Sequence, residues 1–441
     1  MNLRHLQRQP MNRWGERIPA LHPDGSHVPE GAGRLAFVLL AGYVLVLPTA
    51  GTVALRNLLF FSALLLTLFA AVRWKLKLQV PFALAWIVYA AVALASLAHA
   101  IDPAYSLGEI KAEILYGIIA TMLAGTWFTR MQSMKELLVV FVAGSVVMAL
   151  FACWQEVRET TLGFPFDPAR HGSLHSGAGD YSTYIVVVMP FLLGMLWRHR
   201  DSRRTTILLG VVVALNLMGA MITRNRAVFP AMAVETLVLA VLLVRTDGNW
   251  VRWRAAVPWI VLLVAAIGAM FALQMATRIE TNPAVGPLAR DPRWEIWAVA
   301  LDNLRADPWA GSGFGRRVFS FLNPAVVETN GQHWHAHNVL LDKGIQMGVP
   351  GILAFVLLIA AAVRRTWLRR RARQTDATAA MLSAGCVALV AGLFVKNMTD
   401  DFFVRDQGYL FWMLVAGAAT ALEPLRRARR APDTAAIAQD R

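Results

Sequence analysis

Twelve apolar stretches, each near the length needed to cross a bilayer, lie between residues 34 and 422, and they constrain this chain more than any motif does. A hydrocarbon core about 30 Å thick takes roughly 20 helical residues. Runs of that order occur at 34–50, 53–72, 80–98, 114–129, 136–154, 181–197, 205–222, 227–244, 255–275, 338–363, 378–397 and 407–422. Inside hydrocarbon every backbone polar group must be satisfied internally, so such runs are helices. Composition agrees: 57% of the residues are hydrophobic and 16% charged, against roughly 25% charged in soluble domains. The expected fold is an all-α polytopic membrane protein with about 12 transmembrane helices.

The net charge of +15 would suit a nucleic-acid partner only if it were gathered in one groove or stripe. Here the basic residues stand in short clusters between apolar runs, which argues against nucleic acid. Cys153 and Cys386 both lie within apolar runs and read as small packed hydrophobes, with no disulfide expected.

Lys and Arg gather in short cytoplasmic loops, and this bias orients the chain. With the N-terminus inside, clusters at Arg73–Lys77, Arg130–Lys135, Arg198–Arg204, Arg245–Arg254, Arg364–Arg373 and Arg426–Arg430 all fall on the cytoplasmic side. The division that follows is a cytoplasmic arm at 1–33, nine spans at 34–275, a long periplasmic loop at 276–337, three spans at 338–422 and a basic cytoplasmic tail at 423–441. The loop far exceeds the usual connection length, which marks it as the place to look for function.

Three arginines break the charge bias on the outer side. Arg56 sits early in the second span, and Arg224 and Arg226 stand in Thr223-Arg224-Asn225-Arg226 between two runs. A charge near the hydrocarbon costs roughly 2.5–3.5 kcal/mol on insertion scales and tends to face a polar cavity, although an arginine at a helix end also reaches headgroups by snorkelling. In the long loop, Asp291-Pro292-Arg293 is a helix start, with Asp as cap and Pro at the first helical position. The helix that follows carries Trp294, Trp297, Leu301 and Leu304 on one face, the pattern of an amphipathic interfacial helix. Arg293 lies at the edge of that face, where its guanidinium calls for an anion.

After this helix comes Asp307-Pro308-Trp309-Ala310-Gly311-Ser312-Gly313-Phe314-Gly315, a turn able to offer backbone amides to a ligand or simply to reverse the chain. It lacks the Lys-Ser/Thr of a P-loop. His333, His335 and His337 then alternate. Zinc ligation is one reading, but neither an HExxH pattern nor a Cys pair accompanies them, so no metal is expected. His337, where the loop enters the membrane, is the candidate for acid–base work, because imidazole titrates nearest neutral pH. A helix-capping role is the plainer alternative, and His333 and His335 read as loop residues. Asn338 follows His337, and Asp400, Asp401 and Arg405 complete the outer face, either orienting His337 or an arginine or forming a solvated loop. A cavity with several arginines and one histidine suits an anionic lipid-linked substrate, since guanidinium forks bind phosphate.

These residues carry a resemblance. Arg293-Trp294-Glu295-Ile296-Trp297, the Pro308-x-x-Gly311-x-Gly313 turn, His337-Asn338-x-x-Leu341 and the Arg224/Arg226 element occur in the order found in the O-antigen ligase/polymerase superfamily, over about residues 220–345. The chain departs from the family at Asn225, where the family has Ser before its Arg, and Arg226 is the favoured match. The resemblance implies a GT-C-like membrane glycosyltransferase of the bacterial inner membrane that moves O-antigen from undecaprenyl pyrophosphate to a hydroxyl of the lipid A-core oligosaccharide. Transfer would occur at the periplasmic face, with inversion and with neither metal nor other cofactor. His337 would be the base, and Arg226 and Arg293 would hold the pyrophosphate. Topology adds Arg224 and Arg56 as further substrate ligands, with Asn338, Gly313, Asp400 and Asp401 in support. A single dominant loop favours a ligase over a polymerase. A 12-span transporter is the alternative from another class, but the chain has neither an inverted repeat nor a matching pair of broken helices.

Overall fold

The computed structural model describes residues 28–162, 178–247, 250–281, 291–329, 334–370, 377–399, 401, 403 and 405–422. Most of the expected arm, the tail at 423–441, His333 and Asp400 lie outside these residues. Of the described residues 84% are helical and none is in a strand, as the apolar runs require.

The helices are α1 (Glu30–Val46), α2 (Val53–Arg73), α3 (Ala83–Ala95), α4 (Pro103–Glu109), α5 (Tyr116–Trp127), α6 (Met131–Leu162), α7 (Ala178–Arg198) and α8 (Arg203–Ile222). They continue with α9 (Val228–Asp247), α10 (Trp250–Thr281), α11 (Arg293–Ala306), α12 (Val318–Leu322), α13 (Pro324–Thr329), α14 (Val339–Arg370), α15 (Ala377–Asn397) and α16 (Arg405–Ala421). Each of the twelve apolar stretches maps to one of these helices. Eight helices, α2, α6 to α10, α14 and α15, are long and apolar enough to cross a membrane. The remaining four, α1, α3, α5 and α16, have 12 to 17 residues. Of these, α5 is lengthened by α4, which runs into it through a π-helical turn, Ile110–Leu115.

Burial grades outward from α7, α15 and α16. The most apolar window of α7 is 78% buried and that of α15 is 72%, whereas the window of α10 is 6% buried. The outward faces carry Val72, Leu84 and Trp259, as expected where the solvent is lipid. A polytopic membrane protein is the class this architecture defines.

The last long span is not one helix. At Gly348 the backbone of α14 leaves helical geometry (φ 66°, ψ −167°), which divides it into a short half-helix, Val339–Met347, and the spanning part. Backbone groups released by such a break must find partners within the protein, and the Gly-rich turn supplies them. Ser312 N donates to Ile345 O (3.0 Å), Gly313 N to Gln346 O (3.1 Å), and Val349 N to Pro308 O (2.7 Å). The amides of Ser312 and Gly313 are therefore spent on α14 and are not offered to a ligand. Gly311 lies at φ +69°, and a Cβ there would stand 2.5 Å from both Gln346 O and Met347 N.

The segment expected as a loop from 276 begins later, because α10 continues to Thr281. Its helix α11 forms as predicted, with Asp291 Oδ1 accepting from Arg293 N (3.0 Å), and a second apolar face packs on protein. Ile296 and Ala300 are buried against Val318, Phe319, Ala336 and Ile345, while Trp294 and Leu301 are exposed. Exposure of these two side chains is what the expected interfacial helix requires, with its apolar stripe turned away from protein.

Gly311→Ala should lower the thermal unfolding midpoint of the purified protein, since left-handed strain at a non-glycine residue costs about 1–3 kcal/mol before the backbone clash is counted. Gly268→Ala in α10, where a Cβ meets nothing within 4 Å, is the control expected to leave the midpoint unchanged or raised.

Candidate active site

The turn between α8 and α9 is built to hold two arginines out. Thr223 Oγ1 donates to Ala220 O (2.8 Å) and accepts from Asn225 N (3.2 Å), closing α8. Asn225 Oδ1 accepts from Ala227 N (3.1 Å) at the start of α9. Asn225 thus does the turn-forming work that short polar side chains do, and Arg224 takes a left-handed conformation at φ 51°.

Arg226 is ion-paired with Asp291, and its Nη1 lies 3.9 Å from Met275 Sδ of α10. Arg293 Nη1 stands 3.7 Å from the same Asp291 oxygen, Oδ2. Arg224 is more open, with Nη2 3.6 Å from Glu156 of α6. Arg224, Arg226 and Arg293 all line one cavity of about 450 Å3, with Asp291 the only acid among the described lining residues. Phe271, Pro230, Trp294 and Trp297 form its apolar wall, and Thr399 also reaches it. Three guanidiniums and one carboxylate thus stand beside apolar surface.

His337 belongs to the start of α14. Asn338 caps that helix, its Oδ1 accepting from Leu340 N (3.0 Å) and Leu341 N (3.2 Å), and its Nδ2 donates to Met398 O (3.3 Å). The capping role weighed for His337 is therefore filled by Asn338. Thr399, next to Met398, lines the arginine cavity, whereas His337 is not among its lining residues. His337 itself is left-handed (φ 50°), and its ring stacks on His335 with centroids 3.9 Å apart.

His335, expected as a loop residue, is 2% exposed. Its Nδ1 lies 3.2 Å from Asp342 Oδ2 and takes the His337 amide at 3.2 Å, while Asp342 Oδ1 accepts from Ala336 N (3.0 Å). One buried carboxylate in the first turn of α14 thereby fixes the backbone of 335–337.

Beneath this lies a buried charge cluster. Lys343 Nζ is 3.1 Å from Glu113 Oε2 and 3.8 Å from Asp401 Oδ2, and it sits over the Phe314 ring. The π-helical turn brings Glu113 inward. Asp401 O accepts from Arg316 Nη1 (2.9 Å), and the Arg316 guanidinium covers Trp334. Asp401 is thus a buried partner of a lysine and an arginine, not part of a solvated loop. Burial pushes its carboxyl above the usual range, with Lys343 opposing the shift.

Arg56 is elsewhere. It pairs with Asp406 of α16 and donates to Leu47 O (3.3 Å), and it does not line the arginine cavity. Arg405 binds Glu109 at 2.8 Å. Among the described residues no three His, Cys, Asp or Glu are grouped so as to hold a metal ion.

Residues 211–356 match the family model described as O-antigen ligase, a stretch that contains the arginine turn, Asp291, Arg293, the Gly-rich turn and His337. This match supports membership of the O-antigen ligase/polymerase superfamily. No curated protein matches it.

Sequence reading passed over Asp291 as a site residue, the His335–Asp342 pair, and Lys343 with Glu113. The last pair did carry a signal, since an ionisable residue at the edge of a span is rare without a purpose. Removing one partner of a buried ion pair costs about 3–5 kcal/mol, so Lys343→Met should unfold at a markedly lower temperature than the wild type. Adding Glu113→Gln should restore part of the loss. Equal midpoints for the single and double variants would show that the two charges do not depend on each other.

Proposed function

We propose that this protein transfers O-antigen polysaccharide from undecaprenyl pyrophosphate to a sugar hydroxyl of lipid A-core oligosaccharide, at the periplasmic face of the bacterial inner membrane. The observation that carries the reading is the joining of Arg224, Arg226 and Arg293 in one cavity with an aromatic wall. Such a cavity offers forked donors to a pyrophosphate and apolar surface to a lipid. The N- and C-termini are then cytoplasmic, in keeping with the basic clusters at the other ends of the spans.

In the reaction, Arg226 and Arg293 bind the pyrophosphate and stabilise the charge that grows on it as the glycosidic C–O bond breaks, with Arg224 at the rim. His337, neutral, takes the proton of the acceptor hydroxyl, whose oxygen bonds to the anomeric carbon from the opposite face. A single displacement inverts that carbon and releases undecaprenyl pyrophosphate. His335 and Asp342 hold His337 in its left-handed turn, while Asn338 and Gly313 support the helix start and break beneath it. Arg56, committed to Asp406, has no part in this assignment.

His337→Ala should insert and fold but lose about 100-fold or more of transfer, the scale of general-base catalysis. Wild-type amounts of long-chain lipopolysaccharide from that variant would remove His337 from the mechanism. Gels of lipopolysaccharide from a deletion strain separate the ligase from its polymerase relative. Polymer accumulating on undecaprenyl pyrophosphate supports the ligase, whereas single repeat units on the core would make it a polymerase. Activity abolished by chelation and restored by zinc would overturn the metal-independent route.

A further inference from the structure

We propose that Asp291 is the internal counter-ion of the arginine cavity, holding the place that a phosphate oxygen of the donor takes, and that its charge sets donor affinity. The inference rests on the cavity being the pyrophosphate site.

The two oxygens of Asp291 do different work. Oδ1 accepts from Arg293 N at 3.0 Å and caps α11, a role that needs an acceptor but no charge, since Asn and Ser cap as well as Asp. Oδ2 pairs with Arg226 and stands 3.7 Å from Arg293 Nη1. The second distance exceeds hydrogen-bond range, so this oxygen acts on the Arg293 fork through charge alone. The carboxylate is almost fully buried, its side chain 10% exposed, and no other acid is among the described lining residues of the cavity.

Without an anion, two guanidiniums facing one cavity repel each other, and Asp291 neutralises one of them. A pyrophosphate brings more charge and more acceptor oxygens than one carboxylate oxygen, and it can meet both forks in the paired geometry that arginine favours. Once it is bound, Asp291 is a like charge beside it and opposes it. Asp291 therefore weakens donor binding in exchange for a pre-set, separated pair of arginines.

The test is titration of the full-length protein, in phosphatidylcholine nanodiscs, with inorganic pyrophosphate. Asp291→Asn keeps the cap and removes the charge. It should bind pyrophosphate about tenfold more tightly than the wild type, with the difference shrinking as salt rises. Asp291→Ser, a second uncharged cap, carries the same expectation should the Asn variant unfold. Affinity equal to or weaker than wild type in a folded variant overturns the proposal and makes Asp291 a scaffold for the arginines. Arg226→Ala separates the two levels of argument: undiminished pyrophosphate binding there removes the cavity from the donor site, whatever Asp291 does. A headgroup phosphate shares the ligand's chemistry, so the wild-type titration is repeated with phosphatidylglycerol in the nanodisc. Undiminished binding supports the donor as the ligand, whereas competition by that lipid assigns the cavity to a headgroup and overturns it.

Discussion

The break at Gly348 is the constraint on which the rest of this end of the molecule depends. In water a broken helix hydrates its loose ends; in a bilayer it must find protein partners. Here the turn 308–313 provides them, and in doing so it pins the whole segment from α11 onward against α14. Ile101 N, donating to Ser312 O at 3.1 Å, ties the connection after α3 to the same turn. The half-helix Val339–Met347 produced by the break bears Asp342 and Lys343 and starts just after His337. A continuous helix would leave these residues without the pocket of neighbours that now surrounds them.

Charge is handled differently in the two parts of the site. Under the histidine, Lys343, Glu113, Asp401 and Arg316 form a set of nearly balanced sign, buried and mutually paired, which is the condition for keeping ions out of water without a large loss of stability. Around the cavity Arg224 stands by Glu156 while Arg226 and Arg293 share Asp291, so two guanidiniums there lean on one carboxylate.

Much of the fold was legible because hydrocarbon leaves few options: an apolar run of spanning length is a helix, and each of the twelve falls on one. The break in α14 was not, since a Gly and a Pro inside an apolar run disturb its hydropathy little. The interfacial stripe of α11 was legible from its periodicity, but the opposite face, Ile296 and Ala300, was not, because two isolated apolar residues carry too little signal to mark a protein contact. Within the site, Arg226 and Arg293 stood out as charges where charge is costly. Asp291 did not, because a helix cap explained it fully, and only three dimensions reveal that its other oxygen is shared by two arginines. Arg56 carried the same signal as Arg226, yet its partner, Asp406, lies on a helix 350 residues away in sequence.

His337 and Arg224 have one more property in common. Both hold a left-handed backbone that glycine would adopt freely and that other side chains occupy at some expense. The fold thus stores strain at one residue of the arginine turn and one beside α14. Selection for robustness alone would drift these positions toward glycine, so a variant library sorted only for heat resistance should be enriched in glycine at both.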